Sequence, residues 1–214
     1  MFRTATLALV MALASAAAFS TETVPAGAPA YYDILVDTLH ADDRNAMKGW
    51  EERMRAQLEA VAADPMDAEI AVWAEEIRAL LDAERVPIVD EAGLLGDWKV
   101  RSMQVDDLGA FVYSWFPARV FREARALVFD KDSGSQRHRG LMALEPEHRY
   151  YFFAGALYYG YEQERMYSAH MGEDAPNANR AMDAIARVYK LGSDHFMMAF
   201  APDEGRYRLY EIRR

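Results

Sequence analysis

The stretch "LLGDWKVRS", Leu94–Ser102, decides how the second half of this chain is read. Gly96, one spacer and Trp98 open a run with strand-like alternation. A strand that starts a small closed sheet must bend sharply over its own end, and glycine allows that bend. The next inward position lies on the floor of the cylinder. An indole there plugs the closed end, and its face can take a cation from the strand that completes the ring. The last run, "RYRLYEIRR", carries Arg206, Arg208 and Arg213 as candidates for that cation.

Short strand-like runs continue after Trp98–Val105. They are "AFVYSWF" after a turn at Asp106–Gly109, then "ARVFREA", "ALVFD", "HRGLMAL", "RYYFFAGALYYGYE", "AMDAIARVYKL", "HFMMAFA" and "RYRLYEIRR". Eight or nine strands divided by turn residues predict an antiparallel barrel or sandwich. In "RYYFFAGALYYGY" alternation sends Tyr150, Phe152 and Tyr158 to one side and Tyr151, Phe153 and Tyr159 to the other. Both faces are apolar. One is expected to fill the barrel and the other to receive the first half of the chain.

That first half has a helical period. Met47, Trp50, Met54, Leu58 and Val61 share one face, with Asp42 as candidate N-cap. "ADPMD" ends this helix and starts another, with Asp64 as cap and Pro65 in the first turn. Ile70, Trp73, Ile77, Leu80 and Leu81 form the second stripe. The two helices make a hairpin. Its indoles, Trp50 and Trp73, carry more apolar area than a helix pair can bury alone, so they are expected to pack on the barrel.

Residues 1–20 are set apart from the fold. Arg3 precedes the uncharged "ATLALVMALASAAAF", and Ala14-Ser15-Ala16 or Ala16-Ala17-Ala18 offers a cleavage site, the order of a secretory signal. Residues 21–32 read as a linker, 33–92 as the helical hairpin and 93–214 as the barrel. The expected location is periplasmic. No later run is long enough to span a bilayer as a helix. The chain has no cysteine, which excludes disulfides and thiol chemistry. Of the net charge of -10, the acidic excess lies between Thr21 and Ala92, with six basic against seventeen acidic residues. From Gly93 on there are seventeen of each. Neither half has the basic footprint of a nucleic-acid binder.

"FDKDSGSQRHRG", Phe129–Gly140, is the densest polar stretch of the second half. Asp132–Gly134 reads as a β-turn whose hydroxyls bond nearby backbone. As an anion or ligand site, Lys131, Arg137 and Arg139 supply charge, and Ser133, Ser135 and Gln136 supply hydrogen bonds. Ser133 or Ser135 with His138 is a conceivable nucleophile and base, but no G-x-S-x-G elbow is present. The histidines His40, His138, His148, His170 and His195 show no metal-ligand spacing, so no metal, cofactor or catalytic residue is assigned.

"GDW" resembles the opening of lipocalin-like (calycin) barrels. Over most of the chain the order of motifs is similar to exported bacterial proteins of domain of unknown function 4893. Matching residues are Asp43, Arg44, Trp50, Gly96, Trp98, Arg101, Phe129, Lys131, Ser133, Gly134, Ser135, Gln136, Arg137 and Gly140. Relatives often carry cysteines near the second strand, absent here, and the match loosens after Tyr161. The resemblance implies a fold and an exported location, and no activity. The expected architecture is α+β, a helical hairpin packed on a C-terminal antiparallel lipocalin-like barrel.

The expected function is non-enzymatic binding of a small apolar or aromatic ligand, oriented by Arg101, Lys131 and Gln136. Two alternatives are a haem protein or hydrolase built on the polar cluster and a histidine such as His195, and an envelope protein that docks an unidentified protein partner through its helices. An open, polar-lined void inside the strands separates the first reading from the others.

Overall fold

The computed structural model describes residues 31–214 apart from 64, 65, 125 and 173. The expected signal segment, nearly all of the linker, and the Asp64–Pro65 cap lie outside the described residues.

Among the described residues three α-helices precede the sheet: α1 (Tyr31–Asp37), α2 (Trp50–Ala63) and α3 (Ala68–Asp82). The stripe Trp50, Met54, Leu58 and Val61 of α2 is buried. Asp42 caps no helix, because the chain makes a 3-10 turn over Asp43–Asn45 and α2 starts only after Gly49. The neighbouring acid is engaged at long range: Asp43 accepts from the Tyr167 hydroxyl at 2.5 Å and from Arg180 at 3.0 Å. For α3 the cap is Asp67, whose carboxylate accepts from the amides of Glu69 and Ile70.

Eight strands follow: β1 (Gly96–Asp106), β2 (Gly109–Glu123), β3 (Ala126–Lys131), β4 (Gln136–Leu144), β5 (Tyr151–Tyr159), β6 (Asp183–Gly192), β7 (His195–Phe200) and β8 (Tyr207–Arg213). Each pairs antiparallel with the next, and β8 returns to β1, from Lys99↔Arg213 to Val105↔Tyr207, closing the barrel. The runs "AFVYSWF" and "ARVFREA" are one strand, β2. Pro117 sits within it opposite Lys99 in unbroken register, and a bulge shifts the register between Arg101 and Met103.

The lower end is closed as the Gly96–Trp98 pair predicts. Gly96 has φ +121°, a conformation that side chains resist. Trp98 is 3% exposed, its indole N–H donates to the Leu94 carbonyl at 2.8 Å, and its ring meets Phe196 edge-on at 5.3 Å. The cation over the ring is Arg214, at 4.1 Å, one residue beyond β8. Arg206, Arg208 and Arg213 do other things. Arg206 precedes the strand, Arg208 sits at the opposite end, and Arg213 donates to Glu211. The segment joining α3 to β1 forms part of this floor. Val86 and Ile88 donate their amides to Lys190 and His148, and Ile88 and Leu94 join the interior core.

Apolar side chains fill the lower interior, among them Val120, Phe129, Met142, Phe153 and Met198. Gly140 and Gly155 face each other across β4 and β5, and a Cβ on Gly140 would fall 2.4 Å from the Gly155 Cα. Phe153 packs over this pair. The outer wall receives the helices. Trp50 meets Tyr189 at 6.3 Å, Trp73 meets Phe111 at 6.1 Å, and Tyr32 of α1 meets Phe152 at 6.1 Å. Strand β5 is therefore apolar on both faces for the expected reason. No helix among the described residues is long and apolar enough to cross a membrane.

Candidate ligand-binding site

The upper end of the barrel differs from the lower in chemistry. Inward positions here are polar: Ser102 and Gln104 on β1, Lys131 at the end of β3, Gln136 and His138 on β4, and Arg208 and Tyr210 on β8. The β3–β4 hairpin turns at Gly134, φ +76°, as the turn residues predict. Lys131 closes that turn from inside. Its ammonium donates to the carbonyls of Ser133 at 2.7 Å and Gln136 at 2.8 Å, and lies 4.9 Å from the Phe116 ring centroid.

His138, 1% exposed, is the centre of the buried network. Its Nδ1 is 2.7 Å from the Tyr210 hydroxyl and its Nε2 is 3.4 Å from an Arg208 guanidinium nitrogen. Arginine only donates, so Nε2 accepts and Nδ1 carries the proton toward Tyr210. The tyrosine proton is then left to point elsewhere. Arg208 also donates to the Gln136 side-chain oxygen at 3.1 Å, while its Nε is buried without a partner.

Burial sets the charges, helped by neighbouring cations. Desolvation, then Arg137 and Arg208, bring the Lys131 ammonium down to about 8. His138 is held well below the usual imidazole range by burial, then by Arg208 and Lys131, so it is neutral at pH 7. Burial also raises the Tyr210 hydroxyl. Among the described residues no carboxylate lies within ion-pair distance of Lys131 or Arg208. The barrel therefore carries two uncompensated cations and spare donors at its mouth.

Two cavities open on these groups. One of about 180 Å³ is bounded by Ser102, Gln104, Tyr113, Phe116, Lys131 and Tyr210. The other, about 430 Å³, reaches from His138, Phe200 and Arg208 to a rim that includes Asp43, Asp183, Asp203 and Arg206. Gln136 lines both.

The residues singled out from the sequence divide. Lys131, Ser135 and Gln136 line the smaller cavity, and the Ser135 carbonyl also accepts from the Gly160 amide. Ser133 donates to the Pro117 carbonyl at 2.6 Å and fastens the hairpin to β2. Arg137 donates to the Gly134 carbonyl at 3.1 Å from the outer face. Arg101 is not brought to this group. It lies on the outer wall, bonded to Glu76 of α3 and to Glu211, and stacked at 5.0 Å on Trp115. His195 is also outside, 3.0 Å from Glu211. The sequence pointed to Arg208 only as a candidate cation for the Trp98 ring and did not single out Tyr210, although alternation in "RYRLYEIRR" puts both on one face with Ile212.

Neither Ser133 nor Ser135 pairs with His138. A serine, histidine and acid do meet elsewhere: the Ser168 hydroxyl is 2.9 Å from His40 Nε2 and donates to Asp183 at 2.6 Å. The carboxylate here binds the serine rather than the far ring nitrogen, so the hydroxyl bridges two partners instead of being activated. With Asp43, Tyr167 and Arg180 this cluster ties the β5–β6 connection to the chain before α2. Among the described residues no three His, Asp or Glu side chains converge as metal ligands.

Neither a curated protein nor a solved structure matches the chain. A family model does, over residues 37–202, which take in α2, α3 and seven of the eight strands. The chain belongs to the family described as domain of unknown function (DUF4893).

Proposed function

We propose that this protein is a non-enzymatic, exported binding module of lipocalin-like type that takes a small acidic ligand into the upper end of its barrel. The observation that carries the reading is Arg208, a guanidinium inside the barrel with no carboxylate partner among the described residues and a buried, unpartnered Nε. Arg208 is partly buried, and an anion that supplies it with a counter-charge binds with charge-assisted hydrogen bonds. Arg208 faces the larger cavity, Lys131 and Tyr210 face the smaller one, and Gln136 borders both. The rings of Phe116 and Phe200 give an apolar or aromatic body somewhere to lie. Export rests on the order of charge, apolar run and small residues in positions 1–20.

Native mass spectrometry of the full chain recovered from the periplasm of an expressing bacterium tests this, with an absorbance scan for haem. A retained small anion that Arg208→Gln and Lys131→Gln release supports the reading. Retention unchanged in both variants, or a haem spectrum, refutes it.

A further inference from the structure

A second concavity lies on the outside of the barrel, toward its lower end. It has a volume of about 490 Å³, within the usual range of small-molecule sites. Helix α2, the segment joining α3 to β1, the β4–β5 connection and β6 all contribute to it. Its walls are fixed by the Val86–Lys190 and Ile88–His148 backbone bonds at 2.9 Å each. Trp50, Tyr150 and Tyr189 line its base, with the Tyr189 ring 6.3 Å from that of Trp50 and 5.8 Å from that of Tyr150. Met47, Val86 and Pro87 add apolar surface.

Three guanidinium groups stand over these rings. Arg85 lies 4.2 Å from the Tyr189 centroid, and Arg187 and Arg149 lie 4.7 and 5.9 Å from that of Tyr150. Two of them are neutralised. Arg85 donates to Glu51 at 2.8 Å, and Arg149 binds Glu145 at 2.6 Å and Glu147 at 3.1 Å. Arg187 is different. Among the described residues it has no ion-pair partner and its side chain makes no hydrogen bond, while its Nε is buried and unpartnered. The groove thus holds one cation, fixed against a ring and lacking an acceptor, beside apolar surface.

From this juxtaposition we infer a second binding site, for a small aromatic carboxylate whose acid pairs with Arg187 and whose ring packs among Trp50, Tyr189 and the guanidinium of Arg85. Arginine suits both tasks, since its fork matches a carboxylate and its plane stacks on rings. The site is separate from the barrel mouth and does not depend on the function proposed for it.

The test titrates the full chain with phenylacetate and 4-hydroxybenzoate, with acetate and inorganic phosphate as controls. Calorimetry gives affinity, and the arginine Nε–H resonances in a nitrogen–proton spectrum report which guanidinium responds. The expected result is saturable binding of the aromatic acids that moves the Arg187 resonance. Arg187→Gln should weaken binding in the groove about 10- to 100-fold, and Arg122→Gln, an exposed change on β2 outside the groove and the barrel mouth, should leave it unchanged. The resonance shift is read on the unaltered protein, so the inference stays testable if Arg187→Gln does not fold. It is overturned if no saturation appears up to about 10 mM. It is also overturned if acetate or phosphate binds as well as the aromatic acids, or if Arg208→Gln rather than Arg187→Gln abolishes binding.

Discussion

Replacing Trp98 with alanine removes the plug of the barrel floor. Three contributions go with it. Truncating a large buried aromatic side chain to alanine costs about 3–5 kcal/mol, and this ring is 3% exposed against Phe196. The indole N–H bond to Leu94 is worth about 1 kcal/mol net, and its loss orphans a buried carbonyl. The Arg214 contact at 4.1 Å adds about 0.5–1 kcal/mol for a half-exposed cation. Allowing for shared terms, the expected loss is about 4–6 kcal/mol, a large part of the stability of an ordinary domain. Urea unfolding followed by far-ultraviolet circular dichroism measures it. Trp98→Phe keeps a ring but loses the indole donor, and should lose about 1–2 kcal/mol. Arg214→Ala should lose less than about 1.5 kcal/mol, and much of that loss should vanish when Trp98 is already alanine. A loss below about 1.5 kcal/mol in Trp98→Ala, or full additivity of Trp98→Ala with Arg214→Ala, would refute the stopper argument.

Two further outcomes follow from the barrel interior. Gly140→Ala places a Cβ 2.4 Å from one backbone atom and 2.5 Å from another, neither of which can swing aside. It should cost about 3 kcal/mol or more in the same urea assay, and a loss under about 1 kcal/mol would show that the two strands can part. Lys131 gives a pH signature. Its folded pKa of about 8 lies below the ordinary 10.5, so the unfolded chain binds more protons between those values. Its contribution must therefore make stability rise with pH over that window. The buried tyrosines, raised above 10.0, act in the opposite sense above pH 10. The difference between the native chain and Lys131→Met, measured from pH 7 to pH 10, isolates the lysine. Native stability that does not gain on the variant across that range contradicts its burial.

The architecture was legible where a local pattern carried it. Alternation on both faces of Tyr150–Tyr159 foretold a strand between two cores, and the Gly96–Trp98 pair foretold a closed floor. Two indoles on short helices foretold that the helices lie on the wall. The candidate site was only half legible. Lys131 and Gln136 stand out in a dense polar hairpin, but their partners Arg208 and Tyr210 come from β8, and only ring closure brings β8 beside β1. Parity alone could have corrected Arg101: counting from an inward Trp98, it falls on the outside, where Glu76 and Glu211 hold it. The cap at Asp67 was missed because Asp64 and Pro65 offered a more conventional start, and Asp42 was named as a cap although the chain takes a 3-10 turn there and α2 begins only at Trp50.

The pairing of β8 with β1 has a consequence for how the molecule comes into being. Seven seams join sequence neighbours and can zip one hairpin at a time, six across turns of at most six residues and one, β5–β6, across residues 160–182. The eighth seam joins the two extremes of the sheet, and until it forms the row is an open ribbon with two bare edges, able to pair with other chains. The slow and hazardous step in assembly is therefore the last one, and a chain truncated before Tyr207 is expected to leave a sticky ribbon rather than a smaller stable cylinder.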